Sequence, residues 1–91
     1  MEARFSLGRT VITPGALRAF VEAEENPATF LHRHVTGDWG EVDEADKQEN
    51  ELSVKEGFRI LSAYALKSGV KVWVISESDR SLTTILLPEE Y

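Results

Sequence analysis

The sequence predicts an α+β domain, with two or three short N-terminal helices packed on one face of a three- to four-stranded antiparallel β-meander. Three observations point there. Thr13-Pro14 and Asn26-Pro27 each set a side chain that can cap a helix directly ahead of a proline, the residue best suited to a first helical turn. From Phe58 onward the spacing of apolar residues shortens to that of strands rich in β-branched and aromatic side chains. Two turn-forming strings, Ser68-Gly69 and Ser78-Asp79-Arg80-Ser81, divide that region into three. Helices followed by strands is the order of the α+β class.

Taken in order, Arg9-Thr10-Val11-Ile12-Thr13 is a short β-branched strand that can join one edge of the sheet. The first helix starts at Pro14, carries Leu17, Phe20 and Val21 on one face, and stops near Glu25 because a residue before proline avoids the helical region. The second starts at Pro27, turns Phe30, Leu31, His34 and Val35 inward, and stops at Gly37. Asp38-Trp39-Gly40 is a turn. Asp43 with Asp46 opens a short polar helix near residues 44–51, which has almost no apolar face. Residues 58–67, 70–77 and 82–88 are the strands. The 91 residues, 42% of them hydrophobic, form one domain spanning 1–91.

Composition sets the function classes. The chain has no cysteine, which removes disulfides, thiolate metal sites and thiol nucleophiles and fits a reducing compartment. No apolar run approaches the ~20 residues of a membrane span, and the Met1–Phe5 segment has no signal-peptide character, so a cytoplasmic protein without membrane contact is expected. The net charge of −6 is local. Residues 1–37 and 57–91 are each balanced, whereas Asp38, Glu41, Asp43, Glu44, Asp46, Glu49, Glu51 and Glu56 face only Lys47 and Lys55. Such a segment repels phosphate backbones, and no basic cluster offsets it, which argues against nucleic-acid partners. It reads as a solvated connector, or as an acidic surface for a basic partner.

The faces of the sheet carry the main functional expectation. A two-residue Ser68-Gly69 turn sets Ala65 opposite Val72 and Tyr64 opposite Trp73. A two-residue Asp79-Arg80 turn sets Trp73 opposite Leu86. One face then holds Leu61, Ala63, Ala65, Val72, Val74, Ile85 and Leu87 and receives the helices. The other holds Phe58, Ile60, Ser62, Tyr64, Trp73, Ile75, Leu82, Thr84 and Leu86, and is also apolar. Two short helices cover one side only, so the aromatic side needs the 1–12 arm, the 38–57 connector, a second copy or a ligand. A turn longer by one residue exchanges the faces. The expected binding residues are Trp39, Tyr64, Trp73 and Leu86, for a protein partner or self-association.

Chemistry-bearing residues are few. His32 and His34 lie two apart on a helix and diverge by about 200°, so they cannot chelate one ion. His34 reads as a partly buried structural histidine, or as a general base beside Asp38. Gly37-Asp38-Trp39-Gly40 reads as a turn whose ring covers a core edge, or as a ligand-stacking tryptophan beside a carboxylate. The carboxylates from Asp38 to Glu51 lack calcium-loop spacing, and neither metal nor cofactor is expected. Arg59 and Thr84, with His34 and Asp38, form the candidate catalytic set of a ribonuclease-like alternative, since Arg, Thr and His on a small sheet can bind a phosphate and move protons.

Leu7-Gly8-Arg9 through Ile12-Thr13, Phe30-Leu31-His32-Arg33-His34-Val35-Thr36-Gly37-Asp38-Trp39-Gly40, Asp46-Lys47-Gln48-Glu49-Asn50 and Thr83-Thr84-Ile85-Leu86-Leu87-Pro88-Glu89-Glu90-Tyr91 resemble a family of small uncharacterised bacterial proteins labelled plasmid-related or hypothetical. The resemblance implies a bacterial source and an association with mobile DNA, and no activity. At fold level the arrangement is similar to barnase-like and RelE-like ribonuclease toxins, which are basic where this chain is acidic. The expected function is that of a non-enzymatic accessory or interaction module.

Overall fold

Both proline-marked helices form where their caps place them. In a computed structural model describing residues 2–91, Thr13 Oγ1 accepts from the Ala16 amide at 3.2 Å, and helix α1 runs Pro14–Ala23. Asn26 Oδ1 accepts from the Ala28 amide at 2.9 Å, and α2 runs Pro27–Val35. Asp43 caps the third helix through the Asp46 amide at 2.8 Å. That helix, α3, spans Glu44–Glu56 and is longer than the 44–51 expected. It ends at Gly57, whose φ of 82° breaks the helical path. Its buried residues, Asn50 and Ser53, are polar, so no apolar stripe marked its packing face. Met1 lies outside the described residues. Among those residues no helix is long and apolar enough to cross a membrane.

The sheet consists of β1 (Arg9–Ile12), β2 (Ile60–Ala65), β3 (Lys71–Ser76) and β4 (Leu82–Leu86) in the order β1-β4-β3-β2. Strands β2, β3 and β4 form the expected antiparallel meander, and the early strand joins its edge. It does so parallel to β4, which makes the sheet mixed. The chain leaves β1 through α1, α2 and α3 before its first hairpin, and that long connection lets β1 and β4 run the same way.

The register of the second hairpin is as expected, with Trp73 opposite Leu86. The first is shifted by one residue: Tyr64 pairs with Val72 and Ala63 with Trp73. The cause is the turn. Leu66 and Val70 close it, so Lys67, Ser68 and Gly69 all lie in the loop, and Gly69 takes φ 93°, a conformation open to glycine. A one-residue slip sends every side chain of β2 to the other face. The side facing the helices is therefore built from Ile60, Ser62 and Tyr64 with Val72, Val74, Ser76, Thr83 and Ile85, none more than 2% exposed. Leu61, Ala63 and Ala65 join Trp73, Ile75, Leu82, Thr84 and Leu86 on the other side.

Helix α1 meets the sheet through Ala16, Ala19, Phe20 and Ala23. Leu17 and Val21, expected inside, are 48% and 67% exposed, because the small alanine stripe lets the helix approach closely and rotates both outward. Phe30 of α2 touches Phe20 and Tyr64 at ring-centroid separations of 5.6 and 5.3 Å. Burying side chains such as Phe20 and Phe30 contributes about 1.5–3 kcal/mol each. The 2–8 arm closes the layer: the Arg4 amide donates to Val35 O at 2.8 Å, and Phe5 stacks on Trp39 at 6.3 Å.

The two sheet edges are treated differently. Along β2, Asn50 of α3 donates to Leu61 O at 2.8 Å and accepts from the Leu61 amide at 3.2 Å. Two residues further along the strand, the Ala63 amide donates to Trp39 O, and Ala63 O accepts from the Glu41 amide. Gly40 lies between, against Ala63 O and the Tyr64 ring, where a Cβ would overlap both. Along β1 no such cover exists among the described residues.

Candidate functional site

Two constellations hold the residues expected to function, one on each side of the sheet. On the helix side, α2 drives His34 between the strands, where it is fully buried. Its Nδ1 lies 2.6 Å from Ser62 Oγ and its Nε2 2.9 Å from Ser76 Oγ. Ser76 Oγ lies 2.7 Å from Thr83 Oγ1, which donates to Leu7 O at 2.7 Å. A hydroxyl has one hydrogen, so the directions follow. Thr83 spends its hydrogen on Leu7 and accepts from Ser76. Ser76 then accepts from His34 Nε2–H, and Nδ1 accepts from Ser62. The imidazole is neutral with its proton on Nε2. Burial, with Arg80 nearby, lowers its pKa to about 4. Phe5 meets the ring edge-on at 5.2 Å and Trp39 at 6.1 Å, completing an enclosure without solvent access.

Asp38 does not meet His34. Its Oδ2 accepts from Arg33 Nε at 2.7 Å and its Oδ1 from the Gly40 amide at 3.2 Å, and the Arg33 guanidinium holds its carboxyl below the usual range. Arg33 also lies over the Tyr64 ring at 4.6 Å. Tyr64, expected on the binding face, is buried beneath α2 and donates to Asp38 O at 2.6 Å. Burial pushes its hydroxyl pKa up to about 12. Trp39 is 4% exposed, and its Nε1 donates to Glu51 at 3.0 Å. The Gly37–Gly40 string is thus a turn whose ring closes the core, and the shift in register explains why Tyr64 left the outer face.

On the outer side, Trp73 and Leu86 are neighbours as expected. Trp73 is half-buried, and Tyr91 meets it edge-to-face at 5.7 Å. Arg59 spans the space beside them: Nη1 donates to Tyr91 Oη at 3.1 Å and Nη2 to Glu77 Oε1 at 3.0 Å. A groove of about 220 Å³ lies between Arg59, Ile75, Glu77, Thr84, Leu86 and Tyr91. A second, of about 200 Å³, continues past Arg59 and Leu61 to Asp46, Glu49 and Asn50 of α3. The 38–57 connector therefore borders this face, and the 88–91 segment covers part of it.

Of the candidate catalytic residues, Arg59 and Thr84 share the outer groove, His34 is enclosed on the opposite side of the sheet, and Asp38 is paired outside the core. No single phosphate can touch both His34 and Arg59. Tyr91 and Glu77 complete the groove without having been expected there. Leu87-Pro88 was the available signal, since proline opens the 3₁₀ turn Pro88–Glu90 that carries Tyr91 back over the sheet. The serines at 62 and 76, in strands otherwise apolar, marked the partners of a buried polar group. No protein family, curated protein or solved structure matches this chain.

Proposed function

We propose that this protein is a non-enzymatic contact module whose outer sheet face seats an apolar segment of a basic protein partner. The observation that carries this reading is the groove beneath Tyr91, which runs past Arg59 into the acidic flank of α3. Its floor is Ile75, Leu86 and Leu61, and its wall is the Tyr91 ring, which Trp73 supports edge-to-face. Aromatic side chains on an apolar floor are what binding hot spots are made of. Asp46, Glu49 and Glu77 line it against one guanidinium, that of Arg59, so the rim favours a partner bearing lysine or arginine beside its apolar anchor. Each groove is smaller than the roughly 300–1,000 Å³ of small-molecule sites and suits side chains better than a cofactor. The resemblance to plasmid-related bacterial proteins supports an accessory role in a bacterial cytoplasm, alongside mobile DNA.

Panning a displayed peptide library against the protein tests the reading. Selected peptides carry an aromatic or aliphatic anchor flanked by Lys or Arg, and their affinity falls at least ~10-fold in Trp73→Ser and in the surface double variant Asp46→Lys/Glu49→Lys. Raising the salt from low to physiological strength weakens them further. Selection of acidic peptides, or binding indifferent to both variants, overturns it.

A further inference from the structure

We propose that β1 is the interface of a homodimer, in which two copies join edge to edge into a continuous eight-stranded sheet. The Arg9 amide donates to Ser81 O at 3.0 Å and the Thr13 amide to Ile85 O at 3.0 Å, so the odd-numbered residues of this strand bond to β4. By strand alternation Thr10 and Ile12 turn their N–H and C=O groups away from the sheet, and no group among the described residues bonds to them. The strand is short, with one charged residue, Arg9, at its end, but it has no proline, no bulge and no inward charge to block pairing. The opposite edge is closed by Asn50 and by the Trp39–Glu41 backbone. One edge is sealed and the other left open.

A second copy fits this edge better than an unrelated strand because the edge is complementary to itself. Set antiparallel about a two-fold axis through Val11, Thr10 of each copy lies opposite Ile12 of the other. Each such pair exchanges two backbone hydrogen bonds, so all four outward N–H and C=O pairs are satisfied at once. Arg9 then lies across from Thr13 and not from the other Arg9, so the charges do not oppose. Thr10 and Ile12 share the helix side of the sheet with Thr83 and Ile85, and a groove of about 160 Å³ lies there between Thr10, Val11, Ile12, Pro27, Leu31 and Ile85. The second copy's Ile12, seated beside Thr10, fills it with apolar surface. This interface is separate from the Trp73 face and does not depend on the function proposed above.

Sedimentation equilibrium of the full chain over micromolar to millimolar concentration reads the association, and Thr10→Pro tests its site. The Thr10 amide hydrogen is unused within one copy, and an edge position with its N–H outward tolerates proline, so the variant keeps the monomer fold while losing two of the four backbone bonds. We expect its dissociation constant to rise at least ~10-fold with an unchanged far-ultraviolet circular dichroism spectrum. In a chain without cysteine, Val11→Cys places one thiol at the two-fold axis, and oxidation yields a single disulfide-linked dimer that Thr10→Pro suppresses. A protein monomeric at millimolar concentration, or a dimer that survives Thr10→Pro and dissolves in Trp73→Ser, overturns the proposal.

Discussion

A single histidine shows how burial converts a reactive side chain into a structural one. His34 has both ring nitrogens committed to serine hydroxyls, and its pKa lies near 4, below the ordinary 6.5. A group whose folded pKa is depressed binds more protons when unfolded, so stability rises with pH across the gap. The contribution is complete above about pH 6.5 and is lost as pH falls towards 4. Between pH 6.5 and 5.5, above the carboxylate range, the loss amounts to about 1 kcal/mol. Urea unfolding midpoints taken across that interval fall in the wild type and stay level in His34→Gln. An equal slope in the variant assigns the effect elsewhere. That His34 is inward was legible from its place beside Phe30 and Leu31. Its partners were not, because Ser62 and Ser76 come from strands 28 and 42 residues away.

At the scale of elements, two polar side chains do what apolar stripes do elsewhere. Arg80, held at φ 60° in the β3–β4 turn, donates to Phe58 O at 2.7 Å, Glu77 O at 2.9 Å and Ser53 O at 2.8 Å. It therefore satisfies carbonyls at the end of α3 and ties that helix to the hairpin. Arg80→Met leaves those carbonyls without a charged donor, and we expect a loss of ~2 kcal/mol, a fall of roughly 8–16 °C in Tm by calorimetry. A Tm within ~2 °C of wild type contradicts this role. Asn50→Ala opens the β2 edge, with ~1–2 kcal/mol lost and the Leu61 amide exchanging at least ~10-fold faster by NMR. If Leu61 exchange is unchanged, the edge is protected by something other than that amide. Hydrophobic periodicity could not reveal α3 beyond residue 51, since Asn50 and Ser53 pack through hydrogen bonds.

In the whole molecule the sheet separates two environments for the two tryptophans. Trp39 is enclosed by Phe5, Arg4 and α3, whereas Trp73 is half-buried on the outer side against Tyr91. In a Trp73→Phe background, acrylamide should quench the remaining Trp39 emission weakly, and Phe5→Ala should raise that quenching several-fold while costing ~2 kcal/mol by urea unfolding. Unaltered quenching means the 2–8 arm is not the cover of this core. The arm, the 39–41 bridge and the 88–91 turn share the work of closing a sheet too apolar for its helices. The outer face and the β1 edge remain available for contact, and both proposals rest there.

The sequence by itself determined where the elements lie, because caps, prolines and turn residues act over three or four positions. Thr13, Asn26 and Asp43 each begin the helix assigned to them. It also determined that the acidic excess is confined to residues 38–56, and that both sides of the sheet are apolar. The tertiary structure alone decided which side chains of β2 face the helices, that β1 runs parallel to β4, and that His34 and Arg59 lie on opposite sides of the sheet. Strand pairing depends on contacts between distant residues, and its register on whether a turn holds two residues or three. That difference is small in local energy, and burial of Tyr64 and Ile60 against α1 and α2 settles it.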